Sequence, residues 1–150
     1  LIEKHGEEEL VAVLAHEVGH YKKKHIFSSM IFSILELGIM CFLFEMCMNQ
    51  PIIAEALGSS QMSFHLGLIG FSFLYSPIGL ITGILSNVYS RKNEFEADEY
   101  AKDTYDGSSL ELALKKLSVD SLSNLYPHPL FVFVHYSHPP LLKRLEAMAK

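Results

Sequence analysis

A His-Glu-x-x-His stretch is the most chemically specific feature of this sequence. His16, Glu17 and His20 form it, within residues 7–25, whose apolar spacing predicts a helix. Side chains four positions apart face the same side of a helix, so both imidazoles can reach one tetrahedral metal ion. Glu17 then stands where a general base can take a proton from the attacking water. The spacing therefore predicts a Zn²⁺ site of a hydrolase, with His16 and His20 as ligands.

A catalytic zinc site needs a third protein ligand, and the sequence offers more than one candidate. Glu94 and Asp98 are four residues apart, so Glu94 could bind the metal while Asp98 accepts a hydrogen bond from a ligand histidine. Glu96 is expected to point elsewhere. His138, just before a proline-initiated helix, could instead be the third ligand, donate to an oxyanion, or cap that helix. His25 is expected to be an interfacial residue.

Two long apolar segments, residues 26–48 and 66–89, are predicted to cross a membrane. The first would be roughly 35 Å long as a helix, enough to span the hydrocarbon core, and the second carries no charge. Glu36 and Glu45 interrupt the first, and each must face a bundle interior, a cavity or the interface. The alternative is a buried helix of a large soluble domain. Residues 50–63 between the two segments are predicted to be a loop.

Overall composition supports the membrane interpretation. Charged residues make up 19% of the chain, hydrophobic residues 49%, and mean hydropathy is +0.22, whereas soluble domains carry about 25% charged residues. The net charge of −5 argues against nucleic acid as a partner.

Basic residues orient the two segments. Lys22, Lys23 and Lys24 precede the first, and Arg91 and Lys92 follow the second. By the positive-inside rule both outer ends are cytosolic, so the pair forms a transmembrane hairpin. This geometry is expected to bring residues near 20 and near 94 together on the cytosolic side.

Further short helices are predicted after the second span. They cover residues 93–105 and 110–123, the latter starting with a Ser108-x-x-Glu111 capping box, and a last helix follows Pro139-Pro140. No confident strand is indicated. The fold class is therefore expected to be all-α, an integral-membrane helical bundle.

Three stretches in this order, LAHEVGHYKKKH, SRKNEFEADEYA and HYSHPPLLKRL, resemble the type I CAAX prenyl proteases. These are integral-membrane zinc endopeptidases, and the resemblance covers essentially the whole chain. It implies a ring of membrane helices around a water-filled chamber, with the active site toward the cytosol. It also implies roles for individual residues: zinc ligation by His16, His20 and Glu94, base catalysis by Glu17, a bracing or proton-donating role for Asp98, substrate or oxyanion binding by His138, and contact of Arg144 with the substrate carboxylate.

The sequence thus predicts a zinc-dependent membrane endopeptidase, with residues 1–150 as the catalytic region of a longer protein. Its expected partners are the lipid bilayer and a peptide or protein substrate, with a prenylated C-terminal CAAX motif as the expected recognition feature. The expected location is the endoplasmic reticulum membrane in a eukaryote or the cytoplasmic membrane in a bacterium. The alternatives are an HtpX-type quality-control protease, which shares the chemistry, and a non-catalytic membrane scaffold, against which an intact Glu17 argues.

Overall fold

The computed structural model describes residues 5–48, 50–61 and 63–150, which are mostly helical and contain no strand. This confirms the all-α class. The helices are α1 (Glu7–Lys22), α2 (His25–Met48), α3 (Pro51–Ala56), α4 (Phe64–Thr104), α5 (Gly107–Asp120), α6 (Pro129–His135) and α7 (Leu141–Met148). The segment predicted as a loop contains the short helix α3, and its residue Met62 lies outside the described part.

The chain divides into two compact units. The first takes the chain up to Phe27 and again from Ile84 onward, and the second is Ser28–Gly83. The His-Glu-x-x-His stretch and Glu94 both belong to the first unit. Most of the apolar length of α2 and α4 belongs to the second.

The first helix ends earlier than the sequence predicts. α1 stops at Lys22 instead of residue 25, because Lys24 adopts a left-handed backbone conformation (φ 59°). The Lys24 amide donates to the Tyr21 carbonyl at 3.1 Å, which closes a turn, and α2 begins at His25. A non-glycine residue in this conformation is uncommon, so the turn between α1 and α2 is a specific feature of the fold.

Helix α4 is continuous where the sequence predicts two helices. It runs from Phe64 to Thr104 with Pro77 inside it, and joins the predicted span 66–89 to the predicted helix 93–105. At 1.5 Å per residue its 41 residues extend roughly 60 Å, twice the hydrocarbon core of a bilayer. Glu94 and Asp98 therefore lie on the same helix as the second apolar segment.

Small and aliphatic side chains form the core of the first unit. Ala12, Ala101, Leu110 and Met148 are buried together, and α1 and α7 both pack on α5. The start of α5 is capped by Asp106, whose carboxylate accepts from the amides of Ser108 and Ser109 at 3.2 and 2.9 Å. The cap is thus Asp106, and the predicted capping box at Ser108 is wrong.

In the second unit, α2 and α4 pair as a hairpin. Phe44 meets Phe71 edge-on with ring centroids 5.2 Å apart, and Thr82 donates to Glu36 at 2.6 Å. Glu36 precedes Phe44 on α2, whereas its partner Thr82 follows Phe71 on α4, as an antiparallel pair requires. Glu36 therefore finds a polar partner within an apolar segment, as a carboxylate there must.

Both apolar helices are long enough to cross a membrane. In the most apolar 18-residue stretches of α2 and α4, 0% and 6% of the residues are buried. Neither helix is therefore the covered core of a soluble domain in the described structure. Large hydrophobic side chains such as Ile34, Leu35, Phe42 and Phe73 are exposed along them. Apolar exposure on this scale calls for a lipid or protein cover.

Helix α6 is held by hydrogen bonds to its carbonyls. None of its residues is buried. Asn87 donates to the Val134 carbonyl at 2.8 Å, and Arg91 donates to Val132 at 3.1 Å and also to Tyr136. The last carbonyls of a helix lack partners within it, so these two α4 side chains stabilise the end of α6.

We expect Arg91→Ala to loosen α6 without unfolding the unit. A hydrogen bond from a charged donor contributes about 1.5–3 kcal/mol, and α6 has no buried side chain to compensate. Amide hydrogen exchange over residues 132–138 should accelerate by at least about tenfold. Lys115→Ala, which removes an exposed pair with Glu111, is the control. Unchanged exchange in Arg91→Ala would show that other contacts hold α6.

Candidate active site

Helices α1 and α4 bring three potential metal ligands to one point. On α1, Nε2 of His16 and Nε2 of His20 are 3.2 Å apart. Across from them on α4, the Glu94 carboxylate lies 3.6 Å from His16 Nε2 and 3.5 Å from His20 Nε2. Ligand atoms of all three side chains lie within 4.8 Å of one another. The expected meeting of residues near 20 and near 94 is therefore realised within the first unit.

These separations suit a small tetrahedral cation. Ligand atoms about 2 Å from a tetrahedral Zn²⁺ are separated by about 3.3 Å, close to the distances between the nitrogens and the carboxylate. The donor set, two imidazoles and one carboxylate, is one that zinc uses in catalytic sites. Burial lowers the pKa of His20, and the nearby His16 lowers it further, which favours the neutral imidazole that metal binding needs.

Glycine at position 19 allows the two helices to approach this closely. A Cβ on Gly19 would lie 3.1 Å from Ala97 Cα and 3.1 Å from Tyr100 Cβ. Both neighbours belong to α4, and Ala97 itself is fully buried. Any side chain at position 19 would therefore push α4, and Glu94 with it, away from the histidines.

Asp98 lies directly behind His16. Its Oδ1 is 2.9 Å from His16 Nδ1, and the residue is 1% exposed. Burial by itself raises the pKa of Asp98, but hydrogen bonds from Arg144 and His16 outweigh it, so the net pKa is lowered. An ionised Asp98 accepts the Nδ1 proton of His16 and leaves Nε2 free to bind a metal. This geometry favours the bracing role for Asp98 over proton donation.

Arg144 is turned toward these acidic groups. It donates to both carboxylate oxygens of Asp98, at 2.7 and 2.5 Å, and its Nη1 is 3.2 Å from Glu94. Burial alone lowers the pKa of Arg144, but the hydrogen bond to Asp98 reverses the direction and raises it. The guanidinium that the resemblance implied for a substrate carboxylate is thus engaged with Asp98 and Glu94.

His25 and Glu96 form a contact that the sequence analysis did not predict. His25, expected to be an interfacial residue, is 5% exposed, and its Nδ1 lies 3.0 Å from Nδ1 of His20. Its Nε2 lies 3.2 Å from Glu96, so Glu96 is linked to the histidine cluster. The hydrogen bond with His25 lowers the pKa of Glu96. Sequence spacing missed this link because it treated residues 7–25 as one helix, on which His20 and His25 face different sides.

The two histidines near the C-terminus have different surroundings. His138 Nδ1 is 3.1 Å from Glu94, and its side chain is 67% exposed. The three-ligand cluster described above does not include it. The ring of His135 instead packs against Phe131, with centroids 4.6 Å apart.

A cavity of about 420 Å³ opens onto the cluster. Glu17, which is exposed, lines it together with the ligand candidates. Its other lining residues are Val13, Ile26, Leu110, Leu114, Leu117, His138 and Arg144. The cavity is therefore faced by a carboxylate that can accept a proton, by a set of side chains that suits a metal ion, and by apolar side chains. Hydrolysis of a peptide bond requires this combination.

The profile of peptidase family M48 matches residues 1–150. The chain is 38% identical to a CAAX prenyl protease 1 homolog of Dictyostelium discoideum, over 96% of this chain and 34% of the relative. It is likewise 38% identical to the Homo sapiens CAAX prenyl protease 1 homolog, over 94% of this chain and 30% of the relative. The chain thus spans about a third of the length of the curated relatives it matches.

The fold is also similar to a solved structure. The crystal structure of S. mikatae Ste24p superposes with a TM-score of 0.83 at 31% identity, covering 99% of this chain and 37% of that one. This likeness supports the helical fold, and the two exposed apolar helices are long and apolar enough to cross a membrane.

Replacing Gly19 by alanine is expected to weaken metal binding. Overpacking costs about 1–3 kcal/mol, and the better helix propensity of alanine offsets only part of it. A net loss of about 1 kcal/mol would raise the Kd for Zn²⁺ roughly fivefold, measured by competition with a chelator. Gly38→Ala, where a Cβ meets nothing within 4 Å, is the matched control. Equal Kd values for the two variants would contradict the role of this close approach.

Proposed function

Since this chain belongs to peptidase family M48, we propose that it carries the catalytic site of a membrane zinc endopeptidase acting on prenylated CAAX proteins. The observation that carries the proposal is the meeting of His16, His20 and Glu94 beside Glu17. The relatives are named CAAX prenyl proteases, which supports the substrate class. The zinc ligands are His16, His20 and Glu94.

Each residue of the site has a part in the proposed hydrolysis. A bound Zn²⁺ would supply a Lewis acid that polarises water and the scissile carbonyl. Glu17 accepts the proton of the attacking water and then delivers it to the departing amine. His138, on the cavity wall, donates a hydrogen bond to the oxyanion. Asp98 holds the ring of His16 in place, and Arg144 balances the charge of Asp98 and Glu94.

The charged flanks support a membrane placement. Lys22, Lys23 and Lys24 lie before the apolar part of α2, and Arg91 and Lys92 after that of α4. Both flanks adjoin the site, so the positive-inside rule supports an active site toward the cytosol of a multi-pass protein. In a eukaryote the membrane would be that of the endoplasmic reticulum, and in a bacterium the cytoplasmic membrane.

The protein in detergent is expected to cleave a farnesylated CAAX peptide, and Glu17→Gln to cleave it at least roughly 100-fold more slowly. Glutamine keeps the shape of the side chain but accepts no proton, while the three ligands stay in place. Peptide hydrolysis is measured by mass spectrometry and bound zinc by elemental analysis.

Two results would count against this proposal. Undiminished hydrolysis by Glu17→Gln with one zinc bound would remove Glu17 as the base. Cleavage of an unmodified misfolded membrane protein, with none of the farnesylated peptide, would favour a quality-control protease.

Glu94→Ala is expected to lose Zn²⁺ outright, whereas Asp98→Ala should bind it about 10–100-fold more weakly. The first removes a ligand and the second only the group that orients one. Kd values from chelator competition separate the two effects. Glu99→Ala is the control, since Glu99 is exposed on the same helix. Zinc content unchanged in Glu94→Ala would overturn Glu94 as the third ligand.

A further inference from the structure

A chain of hydrogen-bonding groups leads from His20 through His25 to Glu96. We propose that His25 and Glu96 are positioning residues, which fix the tautomer and the orientation of His20 for metal binding through this relay. The inference rests on the proposed metal site. It concerns residues that the sequence analysis left without a role at the metal.

The distances along the relay allow one consistent set of proton positions. His20 Nε2 faces His16 and Glu94, so in a neutral metal ligand the proton must be on Nδ1. That proton is donated to Nδ1 of His25, 3.0 Å away. Nε2 of His25 then carries its own proton and donates it to Oε2 of Glu96 at 3.2 Å. Every donor has an acceptor, and the relay ends on a carboxylate.

The fold provides a specific turn for this contact. His25 would point away from His20 if α1 continued, but the left-handed Lys24 ends α1 and makes His25 the first residue of α2. Such a conformation is uncommon for a residue other than glycine. The ring of His25 is then buried against His20, with centroids 5.1 Å apart.

The relay also accounts for the three acidic residues at every second position of α4, which are Glu94, Glu96 and Asp98. Glu94 and Asp98, four positions apart, share a face that meets His16 and His20. Glu96 lies on another side of the helix, and its contact in the cluster is with the ring of His25. His16 therefore has a direct carboxylate partner, Asp98. His20 has an indirect one, Glu96, which it reaches through His25.

The test measures Zn²⁺ affinity and the visible spectrum of the Co²⁺-substituted protein. His25→Phe keeps the ring but removes both hydrogen bonds, and we expect a 10–100-fold loss of affinity with an altered cobalt spectrum. His25→Asn keeps an acceptor near the position of Nδ1 and should recover part of the loss. The matched control is His5→Phe, because His5 is also buried and also bonds a glutamate, Glu9, at 3.0 Å.

A double-mutant cycle tests whether the two residues act in series. If Glu96 acts on His20 only through His25, then His25→Phe with Glu96→Ala should bind Zn²⁺ no more weakly than His25→Phe alone. Additive losses would overturn the relay, and so would wild-type affinity and cobalt spectrum in His25→Phe. Should His25→Phe fail to fold, His25→Asn and Glu96→Ala complete the cycle. If the unmutated protein binds no Zn²⁺, the proposed function itself has failed.

Discussion

The close approach of α1 to α4 at Gly19 is the contact on which the site depends. His16 and His20 flank Gly19 on α1, and Glu94 and Asp98 flank Ala97 on α4, so this one contact sets every distance between the two groups. Buried small residues, Ala12, Ala97 and Ala101, extend the tight packing on either side. A helix pair spaced by larger side chains would separate the imidazoles from the carboxylates by more than a metal can bridge.

Such tight packing buries polar groups away from water, and charge pairing offsets the cost of burying them. Glu94 and Asp98 are both buried, and a buried carboxylate is costly unless it is paired. Arg144 pairs with both, and His16 adds a hydrogen bond to Asp98. A divalent cation bound by Glu94 and the histidines would complete this balance. The local charge is thus a second reason, beside the distances, to expect a metal.

The sequence predicted the parts of the site that depend on helical periodicity. The shared face of His16 and His20, and that of Glu94 and Asp98, follow from spacing alone, and the hairpin brought the two faces together. The sequence did not predict the turn at Lys24, because the left-handed backbone of a lysine leaves no sign in the composition. Nor did it predict the continuity of α4 through Arg91 and Lys92, because charge there marks the end of an apolar span and not the end of a helix. The place of His25 depended on the missed turn.

The two apolar helices and the site are built from the same continuous elements. α2 begins with His25, the residue beside His20, and α4 carries Glu94, Glu96 and Asp98 beyond its apolar part. A rotation of α4 about its axis would move Glu94 away from the histidines, and a shift of α2 would move His25 away from His20. The orientation of the first-unit ends of α2 and α4 therefore decides whether the candidate ligands and their hydrogen-bond partners meet.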